Sequence, residues 1–275
     1  MAKSIDAKRA EFRKLHASGC FVLPNPWDVG SARLLAGMGF KALASTSSGF
    51  AWSAGVPDND LPVEEVCAHL KLLSDATDLP VNADFEAGFA DDPQGVAANV
   101  TRGVATGVAG LSIEDSTGDA KQPLYEFALA VERIRAARAA IDAAKADVML
   151  VGRCESFLIG QPDLGETIRR LQAYAEAGAE CLYAPALRTK EQIATVVKEL
   201  SPKPINVLIG APTFTVAEMA DIGVRRISVG GAMARAAWGG FLRAAREIAE
   251  QGTFGEFKNA VPYAEINGKF GGEPF

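Results

Sequence analysis

The chain has 275 residues, of which 48% are hydrophobic and 23% charged, and its formal net charge is −6. That is an ordinary globular composition, long enough for one large α/β domain or two smaller ones. The acidic balance and the lack of any long run of like charge argue against a nucleic-acid surface. The longest apolar stretches are broken by Gly, Arg or Asp well short of a bilayer span, so no membrane partner is expected.

Taken in chain order, the N-terminal MAKSIDAKRAEFRKLHASG is charged throughout and does not resemble an export signal. It reads as a helix with Ile5, Phe12 and Leu15 as a sparse apolar stripe, and it points to a cytoplasmic protein. Short β-rich runs then recur: CFVLP at 20–24, KALAST at 41–46, PVNADF at 80–85 and AGLSIE at 109–114. DVMLVGR at 147–153, ECLYA at 180–184, KPINVLI at 203–209 and RRISVG at 225–230 follow. Between them lie segments of helical period, such as VEEVCAHLKLLSDA, LGETIRRLQAYAEAG and KEQIATVVKEL, and Gly39, Gly107, Gly178 and Gly223 each stand just before the next strand. Strands alternating with helices of this length require parallel pairing through right-handed crossovers. Eight such repeats point to a closed (β/α)8 TIM barrel. An open doubly wound sheet is the alternative, but GxGxxG is missing after the first strand, where a dinucleotide fold needs it. No linker or low-complexity stretch divides the sequence, so a single domain over 1–275 is expected.

In such barrels the chemistry sits at the C-terminal ends of the strands. Those ends carry Asn25 and Asp28 after strand one, Ser45, Thr46 and Ser47 after strand two, and Asp84 and Glu86 after strand three. Glu114 and Asp115 follow strand four, Arg153 and Glu155 strand five, and Tyr183, Asn206 and Gly230 the last three. If strand three continues, Asp84 and Glu86 share a side-chain direction. Carboxylates that close repel unless a cation or a shared proton intervenes, and hydrated Mg²⁺ is the economical cation; solvated strand ends are the plainer reading. Cys20, Cys67, Cys154 and Cys181 have no CxxC spacing, which leaves no zinc motif, and three of them sit in apolar surroundings as small buried hydrophobes. With His16 and His69 both inside helical patterns, a serine–histidine hydrolase is not expected.

The same strand ends resemble those of the isocitrate lyase/phosphoenolpyruvate mutase superfamily. The resemblance runs through NPWDVGSARLLAGMGFKALASTSSGFAWSAGVPD, NADFEAGF, LSIED and VGRCESF. It implies a Mg²⁺ shell of Asp84, Glu86 and, through water, Glu114. It implies that Arg153 holds a substrate carboxylate, that Ser45, Thr46 and Ser47 donate to the same substrate, and that Asp58 lies near the site. Thr46, Asp58, Glu114 and Arg153 are then the catalytic candidates, with Asp84 and Asn206 also touching substrate. The match departs in one loop. Members that cleave isocitrate or methylisocitrate carry K-[KR]-C-G-H after strand four, whereas IEDSTGDAKQPLYEF here has no Cys or His and only Lys121. Those two activities are therefore not expected.

The expected chemistry is cleavage or formation of a C–C or P–C bond beside a 2-oxo carboxylate through an enolate. The alternatives are an oxaloacetate-decarboxylase-like lyase and a non-catalytic 2-oxo-acid-binding protein. Arg153 has a structural reading as partner of Glu155 or Asp115, and Ser45–Ser48 one as a capped polar loop. Trp27 reads as packing, and Gly210, Gly230 and Gly231 as turn residues rather than a phosphate site. The segment AMARAAWGGFLRAAREIAEQGTFGEF has a wider apolar face than a barrel wall needs, and its Gly- and aromatic-rich tail is expected to lie on another subunit rather than fold on itself. The resemblance implies a last helix swapped within a homodimer, and dimers paired into a homotetramer.

Overall fold

The computed structural model describes residues 2–274. In chain order it runs α1 (Ile5–Ala17), β1 (Phe21–Leu23), α2 (Val29–Gly37), β2 (Leu43–Ala44), α3 (Ser47–Ser53), α4 (Val63–Ala76), β3 (Val81–Asp84) and α5 (Pro93–Ala105). It continues β4 (Gly110–Glu114), α6 (Phe127–Ala143), β5 (Met149–Arg153), α7 (Leu164–Glu176), β6 (Cys181–Tyr183) and α8 (Lys190–Glu199). The last elements are β7 (Ile205–Leu208), α9 (Val216–Asp221), β8 (Arg226–Ser228), α10 (Ala232–Gln251), a 3-10 turn (Gly255–Asn259) and α11 (Tyr263–Phe270).

All strand pairs are parallel, in the order β1-β8-β7-β6-β5-β4-β3-β2. The seam between β1 and β2 is bridged by the Ala44 N–H donating to Pro24 O at 3.1 Å. The chain is thus an α/β (β/α)8 barrel, with every expected strand present. Local chemistry sets the helix ends. Asp28 and Ser31 form a reciprocal capping box at α2, as Thr189 and Gln192 do at α8, and Asp92 caps α5 with Pro93 in its first turn. Gly39, Gly107, Gly178 and Gly223 take φ between 86° and 111°, the left-handed exit that a Cβ disfavours.

The barrel interior is filled by Phe12, Leu23, Ala44, Met149, Val151, Cys181 and Tyr183, while a larger apolar layer lies between sheet and helices. Helix α1 closes the bottom. Phe12 is fully buried there, Arg9 donates to Val104 O and to Val108 O just before β4, and Arg13 pairs with Asp147 and Glu180, which stand just before β5 and β6. Ile5, read as part of the apolar stripe, is 45% exposed. Only Cys154 and Cys181 are buried, with Cys20 and Cys67 half-buried, so two cysteines rather than three are core residues.

Three elements were not foreseen. The loop after β2 contains α3, and the tail folds into a 3-10 turn and α11, with Phe270 over Gly30 of α2. The expectation that the tail does not fold on itself is corrected in part: it forms α11 and lays Phe270 against α2, while Phe254, Phe257 and Tyr263 stay exposed. In contrast, α10 buries only Ala234 over its whole length, and Phe241, Leu242 and Ile248 stay exposed. No described helix is long and apolar enough to cross a membrane.

Candidate active site

The mouth of the barrel is laced together by strand-end side chains. Asn25 Nδ2 donates to Ser45 O at 2.8 Å, and its Oδ1 accepts the N–H groups of Val229 and Gly230, both at 2.9 Å. One amide thereby ties the ends of β1, β2 and β8. Ser45 Oγ accepts the Asp84 N–H at 2.8 Å, and the Ser47 N–H donates to Asp84 Oδ2 at 3.1 Å. Thr46 is the N-cap of α3, its Oγ1 accepting the Gly49 N–H at 3.3 Å. The capping reading of this segment is therefore correct for Thr46. The Ser45 hydroxyl and the Ser47 amide, expected to face substrate, are directed at residue 84.

Arg153 stands among the carboxylates. Its Nη1 lies 3.2 Å from both Asp84 Oδ1 and Glu114 Oε2, its Nε donates to Glu155, and its guanidinium carbon sits 5.1 Å from the Tyr183 ring centroid. The structural pairing with Glu155 is thus present. Asp115 belongs elsewhere: it accepts Tyr174 Oη at 2.6 Å, Arg170 Nη1 at 3.2 Å and the Glu155 N–H at 2.8 Å, anchoring the strand end to α7.

Glu86 departs from strand alternation. Strand β3 ends at Asp84, and Glu86 opens a turn at φ 47°, a left-handed conformation uncommon for a residue with a Cβ. Asp84 accordingly lines a cavity of about 170 Å³ at the barrel mouth, whereas Glu86 and Glu114 line an adjoining one of about 400 Å³ under the 115–126 loop. Among the described residues no three His, Cys, Asp or Glu side chains are gathered as a group able to hold a metal ion. The turn that carries Glu86 is held from behind. Arg133, buried in α6, donates to the carbonyls of Ala87, Ala90 and Asp91, and Asn99 of α5 donates to those of Gly88 and Phe89 at 3.0 and 3.1 Å.

Electrostatically the mouth is overloaded with acid. Burial, then Asp84 and Asp58, push the Glu86 carboxyl up to about 8. Glu114 is also raised, by burial against the opposing pull of Arg153, and Glu155 likewise. Asp58 lies exposed at the rim, where the surrounding protein and Asp84 raise it and Ser47 opposes. Tyr183, buried beside Arg153, is raised to about 12. Lys121 is exposed on the loop, outside both cavities.

Asn206 is buried on β7 and lines the mouth cavity, but its amide is engaged: Nδ2 donates to Ser228 Oγ at 3.0 Å and Oδ1 accepts Arg226 Nε at 2.8 Å. Arg226 itself, Asn82 and Ser112 also line that cavity and were not singled out from the sequence. A signal existed, since an arginine and an asparagine within buried strands violate the apolar filling of a barrel. His16 and His69 are both buried and outside the carboxylate cluster, His16 donating to Phe12 O and His69 stacking on Phe50.

A family model described as phosphoenolpyruvate phosphomutase matches residues 12–249. The uncharacterized protein Rv1998c of Mycobacterium tuberculosis (strain ATCC 25618 / H37Rv) is 31% identical over 261 residues, covering 94% of this chain and 95% of that protein. A solved structure from Burkholderia cenocepacia J2315, provisionally described as a lyase/mutase, is 46% identical with TM-score 0.93, covering 97% of this chain and 96% of its own. An oxaloacetate acetylhydrolase solved with its product oxalate is 26% identical with TM-score 0.86, over 98% and 95% of the two chains. With a family model spanning most of its length and relatives aligned over nearly all of it, the chain belongs to the phosphoenolpyruvate phosphomutase family, in the phosphoenolpyruvate mutase/isocitrate lyase superfamily.

Proposed function

We propose that this protein is a Mg²⁺-dependent enzyme that makes or breaks a C–C or P–C bond beside a 2-oxo carboxylate by way of an enolate. The observation that carries the reading is the set of carboxylates around one guanidinium: Asp84, Glu114 and Glu155 on Arg153, with Glu86 and Asp58 close enough to disturb one another. All the donors are oxygens, their charge exceeds what one arginine neutralises, and Mg²⁺ needs only one or two carboxylates because it keeps several waters. The residues therefore fit such an ion, with Asp84 and Glu86 as the nearest candidates to hold it and Glu114 acting through water. When bound, the ion supplies Lewis-acid polarisation of the 2-oxo group. Arg153, anchored by Glu155 and Tyr183, keeps its Nη2 edge for the substrate carboxylate. The Thr46–Ser48 hydroxyls line the cavity and present donors to the developing enolate. The Ser47 N–H, donating to Asp84 Oδ2, orients that carboxylate, and Ser47 also favours the ionised form of Asp58.

One observation favours a decarboxylase-like outcome within this reading. The 115–126 loop has no Cys or His, and its one lysine is exposed, so the loop presents no proton donor of that kind to a departing enolate or alkoxide. Loss of CO₂ requires no proton on the leaving fragment, and the enolate left behind takes its proton at carbon from water. The relative solved with oxalate acts on oxaloacetate, which is consistent with a short acid in this cavity. We further propose that α10, whose apolar face its own barrel leaves open, packs on a second copy of the chain.

The test is turnover with Mg²⁺ against oxaloacetate, phosphonopyruvate, alkylmalates and methylisocitrate. Activity on one of the first three, abolished by chelation, is expected, and little or none on methylisocitrate. Tight binding of a 2-oxo acid with no turnover of any would establish a binding protein instead.

A further inference from the structure

Among the described residues, Arg226 is the one long charged side chain on the strands' inner face that has no counter-charge. It is 2% exposed, on β8 in the barrel interior. Its Nε donates to Asn206 Oδ1 at 2.8 Å and its Nη1 to Asn82 Oδ1 at 3.3 Å, while His16 Nε2 stands 3.5 Å from Nη1. Each partner is a neutral dipole. His16 donates its Nδ1–H to Phe12 O, so the nitrogen turned to Arg226 is the unprotonated one, and burial with the nearby guanidinium holds this imidazole down to about 3. Among the described residues Arg226 forms no ion pair and its Nη2 no hydrogen bond.

A buried guanidinium is costly unless an anion meets it. Here the guanidinium lines the mouth cavity together with Asn82, Ser112 and Ser228. The two ends of that cavity differ in sign. Its rim carries Asp58, Asp84 and Arg153, whereas its floor carries Arg226 with hydroxyl and amide groups and no acid. A cavity of about 170 Å³ admits an acid of a few carbons and excludes a nucleotide.

We propose that Arg226 forms the floor of the substrate cavity and takes a second anionic group, a carboxylate or phosphonate at the end of the substrate away from the 2-oxo acid. This rests on the reading of the mouth as a 2-oxo acid site and adds the residue that receives the second acidic group and so separates a small diacid from a mono-acid. Asn206 and Asn82 hold the guanidinium in place, which explains why the Asn206 amide is already engaged. Arg226 is then the specificity residue, while the rim determines where the bond changes.

The experiment is calorimetric binding in the presence of Mg²⁺, using pyruvate, 3,3-difluorooxaloacetate and phosphonopyruvate as probes. Wild type is expected to bind at least one diacid about 100-fold more tightly than pyruvate, and the preferred one identifies the second group as carboxylate or phosphonate. Arg226→Gln is expected to lose roughly 10–100-fold toward that diacid, the scale of a charge-assisted hydrogen bond, and less than about threefold toward pyruvate. Arg226→Lys keeps the charge and is expected to retain part of the preference; should the Gln variant fail to melt cooperatively, the Lys variant carries the comparison through an intermediate loss of about tenfold. Equal weakening of all three probes, or no change, overturns the proposal and marks Arg226 as structural. Wild-type binding of pyruvate without any diacid preference overturns this inference alone, and wild-type binding of none of the three overturns the 2-oxo acid reading with it.

Discussion

The main-chain carbonyl of Glu86 accepts the N–H of Glu114 at 3.0 Å. The left-handed turn after β3 is thereby stitched to the last residue of β4, and two acidic residues distant in sequence are held at one height on the barrel mouth. The stitch depends on the turn keeping its shape. Carbonyls 87 to 91 in that turn all accept hydrogen bonds from Arg133 or Asn99.

Arg133→Met leaves three half-buried bonds to the carbonyls of Ala87, Ala90 and Asp91 unmade and removes the guanidinium stacked 3.8 Å over the Tyr125 ring. The variant is expected to lose about 3 kcal/mol in urea unfolding, with a lowered midpoint and an unchanged slope. A loss below about 1 kcal/mol shows that water replaces the clamp without consequence.

Asp84→Ala removes the carboxylate that both Arg153 and the Ser47 N–H address. Titration calorimetry is expected to show Mg²⁺ and 2-oxo acid binding weakened together by a factor of at least about 100, the scale of a lost charge-assisted contact. Undiminished Mg²⁺ affinity removes Asp84 from the metal shell.

Arg153→Lys replaces a planar fork by a point charge. The present arginine reaches Asp84, Glu114 and Glu155 at once, which one ammonium group does not reproduce. The expected result is a lower melting temperature together with 2-oxo acid binding reduced by roughly 100-fold or more. A lowered melting temperature with an unchanged dissociation constant assigns Arg153 to the framework alone.

His16 gives the stability of the metal-free protein a pH dependence of known sign. Burial and Arg226 lower its folded value from the ordinary 6.5 to about 3. The unfolded chain therefore binds the extra proton first as pH falls. The contribution of neutral His16 is complete above about 6.5 and is lost between there and about 3. Glu86, raised to about 8, acts in the opposite direction, its contribution being lost as pH rises through that value. Comparing wild type with His16→Gln separates the two. The stability difference between them should shrink by a few kcal/mol on acidification from pH 7 to 4, as calculated from linkage. A pH-independent difference shows that His16 stays accessible to protons in the folded state.

Helix α10 exposes Phe241 at 60% and Leu242 at 43%, and the following turn exposes Phe254 and Phe257 at 61% and 55%. That face borders a groove lined by Trp52, Val56 and Trp238. Light scattering at micromolar concentration is expected to give two or four times the chain mass, and Phe241→Asp to shift it toward one. A wild-type mass near one chain refutes the assembly.

Periodicity and chain punctuation determined the architecture before any coordinates. Eight β-rich runs separated by helical segments and closed off by Gly39, Gly107, Gly178 and Gly223 permit few arrangements, because parallel strands need crossovers of one hand. The barrel then dictates which residues reach the mouth, so Ser45, Asp84, Glu114 and Arg153 were legible from their places at strand ends. The direction of Glu86 was not, because a positive φ at a glutamate comes from distant support by Arg133 and Asn99 rather than from a local preference. Nor was the use of Asp115 on α7 instead of the mouth, or the burial of Arg226 among neutral partners. Those depend on which side chains from remote strands and helices meet in one place. Sequence period specifies the face a residue occupies, and only the closed tertiary structure specifies what stands opposite it.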